Sequence, residues 1–444
     1  MKQSDFTSGN IFKQMVSFSI PIMLTNLLQA SYQFIDSLWI GNLIGANALG
    51  AVAISSTVLF TLLSLIIGIN SAALTILSQQ KGKADQEGLK RYLNAFVVLL
   101  LSLSLALGTA GYFLAEPILR LLGTPDAMLM PAKSYLQINF TGIVFLFGYN
   151  FIGTVLRAVG DSKTPLRFVL AAVLLNAVLD PLFISVFDLG IEGAAYATVL
   201  SQGVAFLYGM YIILRRRSIP FTIPSLPKAE ETWLILKLGI PSGLQMVVIS
   251  AGLMAIMSVV NSLGEHVVAG FGAAQRLDSI LMIPSMALGS AVNSMAGQNI
   301  GIKQWDRVHL IGRYSLLINT AVMLFIAFLV VLFADFGVSL FLEEEAARNF
   351  GAQYLRIIAF FYPFLGINFV LNGIVRASGA MVQVLILNII SFWVLRFPLT
   401  YFFSAYWNEP GIGMGIAASF VISSMFAALY YRYGKWTEKE LFKS

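Results

Sequence analysis

The sequence predicts an all-α integral membrane protein: twelve transmembrane helices in two pseudo-symmetric six-helix bundles related as a parallel repeat. Three observations predict it. Of the 444 residues, 58% are apolar and 11% charged, against about 45–50% and about 25% in soluble domains. The apolar residues gather into twelve runs, each close to the ~20 helical residues needed to cross a ~30 Å hydrocarbon core. The chain also matches itself at a single offset of 219 residues, about six helices and their connections.

Taken in order, the runs cover approximately 16–40, 48–77, 92–115, 135–156, 166–187, 191–214, 234–262, 268–296, 312–335, 354–375, 382–406 and 411–431. They are long and continuously apolar, whereas a transmembrane barrel strand would show about ten residues of alternation. The first follows Lys2 and Lys13 as a secretory leader would, but it is too long and carries Gln29, Gln33 and Asp36 late, so it reads as a membrane helix. The second and third are parted by Lys81, Lys83, Lys90 and Arg91, the third and fourth by Arg120 and Lys133. Between the fourth and fifth stands Arg157-Ala158-Val159-Gly160-Asp161, where Gly supplies a left-handed helix cap and Arg faces the headgroups. The fifth run carries Asp180-Pro181 within it, and the sixth gives way to Arg215-Arg216-Arg217.

The charged, Pro-containing segment 215–233 therefore reads as a cytoplasmic linker between an N-terminal lobe, 1–214, and a C-terminal lobe, 234–444. Runs seven to twelve restate the first six. Gly45 pairs with Gly264, Gln79 with Gln298, Gly82 with Gly301, Tyr135-Leu136 with Tyr354-Leu355, and Arg157-Ala158-x-Gly160 with Arg376-Ala377-x-Gly379. Ile20-Pro21 and Ile240-Pro241 align one residue away. Six is even, so the second copy enters the membrane from the same side as the first. Parallel repeats of this kind form transporters with sites near the bilayer midplane.

Lys and Arg concentrate in alternate connections, including Lys163, Arg167, Lys228, Lys237, Lys303, Arg307, Arg313, Arg376, Arg432, Lys435, Lys439 and Lys443. The opposite side holds Arg120, Lys133, Arg348 and Arg356. This asymmetry predicts both termini in the cytoplasm and explains the net charge of +6 without nucleic acid as a partner. Absence of cysteine excludes disulfides and thiolate metal sites. There is no G-x-x-x-x-G-K-[ST] loop, H-E-x-x-H or nucleophile elbow, so neither ATP hydrolysis nor another enzyme chemistry is expected within the chain. The two histidines, His266 and His309, fall at expected loops.

Charge inside a membrane helix costs about 2.5–3.5 kcal/mol at the centre on insertion scales, so each instance needs a reason. Gln29, Gln33 and Asp36 follow at spacings of four and three, with Asn26 and Tyr32 adjoining, and make a polar stripe on helix one. Asn176 and Asp180 lie four apart on helix five, next to Pro181; Thr198, Ser201 and Gln202 give helix six a polar face. Two carboxylates converging in one low-dielectric lobe cannot readily both stay ionised without a bound proton or cation. The oxygens of Asp36, Asn176, Asp180 and Thr198 would suit either a proton or sodium. Arg276 and Asp278, two residues apart on helix eight, do not face each other and are candidates for the second lobe's cavity. Arg396 lies in helix eleven, and Met246, Met254, Met257, Met282 and Tyr362 could shape an adaptable apolar surface.

Several stretches resemble the multidrug and toxic compound extrusion (MATE) family. They are Pro21 to Asn26 leading to Phe34-Ile35-Asp36-Ser37-Leu38-Trp39-Ile40-Gly41, Leu156-Arg157-Ala158-Val159-Gly160-Asp161 with Lys163-Thr164-Pro165, Asn176-Ala177-Val178-Leu179-Asp180-Pro181-Leu182-Phe183, and Gly190-Ile191-Glu192-Gly193-Ala194-Ala195 with Ala197-Thr198. The resemblance implies a cell-membrane antiporter that exports amphiphilic, often cationic drugs against H+ or Na+, with no cofactor beyond that ion. It implies coupling through Asp36, Asn176, Asp180 and Thr198, which would also be the metal ligands if sodium is the ion. Gln29, Tyr32, Gln33, Gln202, Arg276 and Asp278 are then the candidate substrate-cavity residues. Some relatives place coupling acids in helices seven and ten; here helix seven has no Asp or Glu before Glu265 and helix ten offers Asn368 and Asn372. That departure points to the DinF-like branch. The partners expected are the bilayer and a small drug-like molecule, and the chain is read as a monomer. The competing expectation is a lipid-linked oligosaccharide flippase or polysaccharide exporter of related architecture, which would need a strongly cationic cavity.

Overall fold

A computed structural model describes residues 4–215 and 219–442; of the basic residues named above, Lys2, Arg216, Arg217 and Lys443 lie outside the described residues. Among those residues the chain is helical with no strand. The first six spans are α1 (Ile11–Leu43), α2 (Ala46–Gly82), α3 (Gln86–Leu121), the pair α4 (Asp126–Thr141) and α5 (Ile143–Ala158), α6 (Lys163–Pro181) continuing into a π-helical segment (Leu182–Val186), and α7 (Gly190–Arg215). The next six are α8 (Ala229–Asn261), α9 (Glu265–Leu281) with α10 (Ile283–Gly301), α11 (Trp305–Ser339), the pair α12 (Glu345–Ala359) and α13 (Tyr362–Ala377), α14 (Met381–Ile389) with a π segment (Ile390–Arg396) and α15 (Phe397–Trp407), and α16 (Glu409–Tyr433). By length and composition ten spans among the described residues could cross a bilayer, or twelve when α4/α5 and α12/α13 each count as one bent span.

The bends, 51° at α4/α5 and 56° at α12/α13, sit at the same place in the repeat and have local causes. Gly142 carries no side chain where Val199 of α7 presses in; a Cβ there would lie 2.5 Å from a Val199 methyl. Pro363 opens α13, where its missing N–H costs nothing because the first turn has no acceptor for it. The π segments also recur, in the fifth span of each half. Segments of this type are often found at functional sites.

The backbone itself carries the repeat. Gly45 and Gly264 have φ of +113° and +116°, Ala84 and Lys303 +54° and +58°, Gly160 and Gly379 +88° and +87°. These left-handed residues close the same turns 219 positions apart. At Gly160 the conformation is reinforced by packing, since a Cβ would come within 2.2 Å of the Ser4 carbonyl oxygen. Asp161, one residue on, caps α6: its Oδ1 accepts from the Lys163 and Thr164 N–H groups at 3.0 Å, and the Thr164 hydroxyl donates to its Oδ2 at 2.6 Å. Arg157, expected to face the headgroups, is partly buried and donates from Nη2 to the Thr154 hydroxyl at 3.0 Å. The histidines, expected in loops, lie on helices: His266 on α9 contacts Glu409 at 2.8 Å, and His309 on α11 contacts the Tyr431 hydroxyl at 2.8 Å.

The described residues divide into two compact units, one formed by those within Leu24–Lys237 together with Ser4, the other by Asp5–Met23 and Leu238–Phe442. The division cuts α1 two residues past Pro21 and cuts α8 shortly before Pro241. In the first unit Ile40 and Val52 pack with Tyr135, Ile184 and Ala194. In the second, Phe6, Met15, Phe18 and Ile22 pack with Val292, Met295, Ile374 and Trp436. The segment before α1 is strapped to that core. Phe6 is fully buried; its N–H donates to Gln298 Oε1 at 3.2 Å, and its carbonyl accepts from Asn299 Nδ2 at 3.0 Å and Arg307 Nε at 2.8 Å.

Candidate functional site

The candidate site lies in the first unit and is assembled from three spans. On α6 the four-residue spacing of Asn176 and Asp180 sets both side chains on one face, and the Asn176 amide donates to Asp180 Oδ1 at 2.9 Å. Pro181 ends the regular helix directly beyond, and the π segment follows. Asp180 is 0% exposed, Asn176 1%, Thr198 of α7 6% and Asp36 of α1 7%. Asp36 and Asp180 lie near enough for their charges to act on one another, and the Tyr135 ring on α4 feels both. Tyr32, one turn before Asp36, lies against Thr198. The structure thus brings Asp36, Asn176, Asp180, Thr198 and Tyr32 together.

What distinguishes the cluster is its unmet hydrogen-bonding capacity. Asp36 Oδ1, Asn176 Oδ1 and Asp180 Oδ2 are all buried without a hydrogen-bond partner. Neither carboxylate belongs to any ion pair among the described residues. Leaving a buried polar group unpaired costs about 1–3 kcal/mol, and more for a charge. Three such oxygens in one niche, with no cation among the described residues paired to either acid, make a donor set for a proton or a small hard cation. No group of three or more His, Cys, Asp or Glu is placed to hold a metal among the described residues; sodium would instead rely on the amide and hydroxyl oxygens beside the acids.

The candidate cavity residues divide. Gln29 lies against the Tyr149 ring of α5. Gln33 is exposed and Gln202 half-exposed, and neither has a polar contact with the carboxylates. Arg276 and Asp278 belong to the second unit and, as their spacing requires, point apart: Arg276 is exposed with its guanidinium 5.9 Å from the Phe341 ring centre, while Asp278 accepts from the Tyr362 hydroxyl. Sequence reasoning missed Tyr135 and Tyr149 as neighbours of the site. Among 16 tyrosines neither stands out chemically, although Tyr135 lay in the repeat as the match of Tyr354.

Comparison with known proteins agrees with this architecture. The MatE family model matches twice, over residues 21–182 and 241–402, one copy in each half. The chain is similar to the probable multidrug resistance protein YpnP of Bacillus subtilis (strain 168), at 63% identity over 100% of this chain and 99% of that one. It is similar also to the probable multidrug resistance protein YoeA of the same organism, at 30% identity over 97% and 96%. In fold it matches a crystal structure of a MATE protein in complex with MaL6, with a TM-score of 0.93 and 24% identity over 99% of this chain and 100% of that one. Two family-model copies, near-complete coverage by relatives and the twelve-span repeat lead to one conclusion: the chain belongs to the MatE family of membrane transporters.

Proposed function

We propose that the chain is a secondary active antiporter of the cell membrane that exports amphiphilic, often cationic drugs in exchange for H+ or Na+, coupled through Asp36 and Asp180. Multidrug efflux follows from the relatives it resembles over its full length. The observation that carries the coupling is the pair of buried acids contributed by separate helices to one oxygen-lined niche, neither of them held by a cationic side chain. Asn176 and Thr198 complete the ion's ligands, and Tyr32, Gln29, Gln33 and Gln202 border the drug's path in that lobe. The chain works as a monomer with both termini in the cytoplasm, and the ion gradient is its source of energy, with no resident cofactor.

In this cycle Asp36 and Asp180 each take up an ion from outside, α1 bends near Pro21, and the reshaped cavity releases the drug; loss of the ions inside resets it. The place of the bend is supported by the division of α1 just past Pro21. The test is Asp36→Asn in a host lacking its own efflux pumps, with ethidium export followed in vesicles under separately imposed pH and sodium gradients. Export is expected to vanish while the protein remains in the membrane. Full export by the variant would remove Asp36 from the coupling mechanism.

A further inference from the structure

The repeat gives the second unit a niche equivalent to the ion site, and its chemistry is different. Tyr354 stands 219 residues from Tyr135. Where Tyr135 feels Asp36 and Asp180, Tyr354 feels Asp278 and Arg396. One niche therefore holds two acids; the other holds an acid and a base. Arg396, the last residue of the second π segment, is 6% exposed. Its guanidinium stacks 3.9 Å from the Phe392 ring centre and 4.8 Å from that of Phe420, and its Nε donates to the Ser419 hydroxyl at 3.2 Å.

Its Nη2 has no hydrogen-bond partner. Asp278 acts on it through space, yet among the described residues Arg396 joins no ion pair. Asp278 is occupied instead by the hydroxyl of Tyr362, which opens α13 at the bend. One turn past Arg396 the Thr400 hydroxyl, 0% exposed, is also unpartnered. A guanidinium N–H without a partner is a charged donor suited to a carboxylate oxygen. A purely structural arginine would place that donor on Asp278. Instead a separated anion and cation stand beside the Phe392, Phe420 and Tyr362 rings, an arrangement suited to a ligand that carries both charges.

We propose that this niche is a subsite for zwitterionic aromatic substrates, with Arg396 Nη2 receiving the substrate's carboxylate and Asp278 its ammonium group. The subsite rests on the efflux reading above and makes Arg396 a determinant of substrate choice. A permanently cationic drug without a carboxylate has no use for Arg396, whereas an amino acid-like drug gains from both poles.

The probes are norfloxacin, which carries a carboxylate and an amine, and its ethyl ester, bound to the purified full chain in detergent by equilibrium dialysis. The wild-type chain is expected to bind the acid at least about tenfold more tightly than the ester, equivalent to about 1.4 kcal/mol. Arg396→Met is expected to bring that ratio to about one. Arg396→Lys, which keeps the charge but loses the fork, should give an intermediate ratio. Equal binding of acid and ester by the wild-type chain, no binding of either, or a ratio unchanged in Arg396→Met overturns the proposal. Should Arg396→Met fail to reach the membrane, the wild-type ratio and Arg396→Lys decide. Absence of ethidium export by the wild-type chain is a separate result that sinks the efflux reading itself.

Discussion

Replacing Asp180 by Asn removes one buried charge while keeping its shape. The amide oxygen at position 180 can still accept from Asn176 Nδ2, now 2.9 Å from Asp180 Oδ1, so the loss in fold stability stays within the ~1.5 kcal/mol of an ordinary hydrogen bond. The effect on work is larger. Each coupled ion moving down a tenfold gradient supplies about 1.4 kcal/mol, enough to hold a tenfold drug gradient. With both Asp36 and Asp180 carrying an ion, wild-type proteoliposomes under a tenfold gradient can concentrate drug up to about 100-fold. Asp180→Asn should be limited to about tenfold, and the double variant with Asp36→Asn should only equilibrate the drug. The assay is steady-state ethidium accumulation in proteoliposomes of matched protein content, with unlabelled-drug exchange as the control for an intact translocation path. An Asp180→Asn protein that still sustains the wild-type ratio would refute the role assigned to the second acid.

Thr198→Val keeps the side-chain volume and removes a ligand oxygen; a sodium-coupled cycle should lose at least about tenfold in apparent sodium affinity, while pH-driven export should persist, as read in the same vesicles. Gly160→Ala meets both a left-handed φ, worth about 1–2 kcal/mol, and the Ser4 carbonyl oxygen 2.2 Å from the new Cβ. Gly45→Ala meets the φ alone, with nothing within 4 Å, so thermal unfolding in detergent should show the larger loss for Gly160→Ala. Arg307→Ala removes the hydrogen bonds to the Phe6, Ser8 and Gly9 carbonyls at 2.8–3.0 Å. Proteolysis within residues 5–10 should then accelerate by about tenfold, the ratio expected for a lost contact of about 1.4 kcal/mol in a local opening equilibrium.

The spans were legible because a bilayer imposes one rule of length and apolarity on every crossing, and the repeat because its turns need left-handed residues. Gly160 and Gly379 announce themselves; Ala84 and Lys303, equally left-handed, do not. The candidate acids stood out since charge in an apolar run demands a reason, and the four-residue spacing of Asn176 and Asp180 translated directly into a hydrogen bond. Tyr135 was not, because an aromatic ring in an apolar helix looks the same whether it packs in a core or borders a carboxylate. Nor were the π segments, which lie in ordinary runs such as Leu182–Val186. The partner of the first half of α1 was equally hidden: helical periodicity says which face is apolar and nothing of which neighbour covers it.

That last feature bears on how such a protein could have arisen. Residues 5–23 fold into the unit made mostly of the second half, and the start of α8 folds into the unit made mostly of the first. A single-copy ancestor built this way would leave its own leading half-helix unsatisfied and would complete itself by trading that arm with a twin, a swapped homodimer of the kind short exchangeable elements favour. Fusion of two copies turns the trade into an internal one. Cutting the chain at 215–233 should consequently yield fragments that are incomplete apart and whole only when made together.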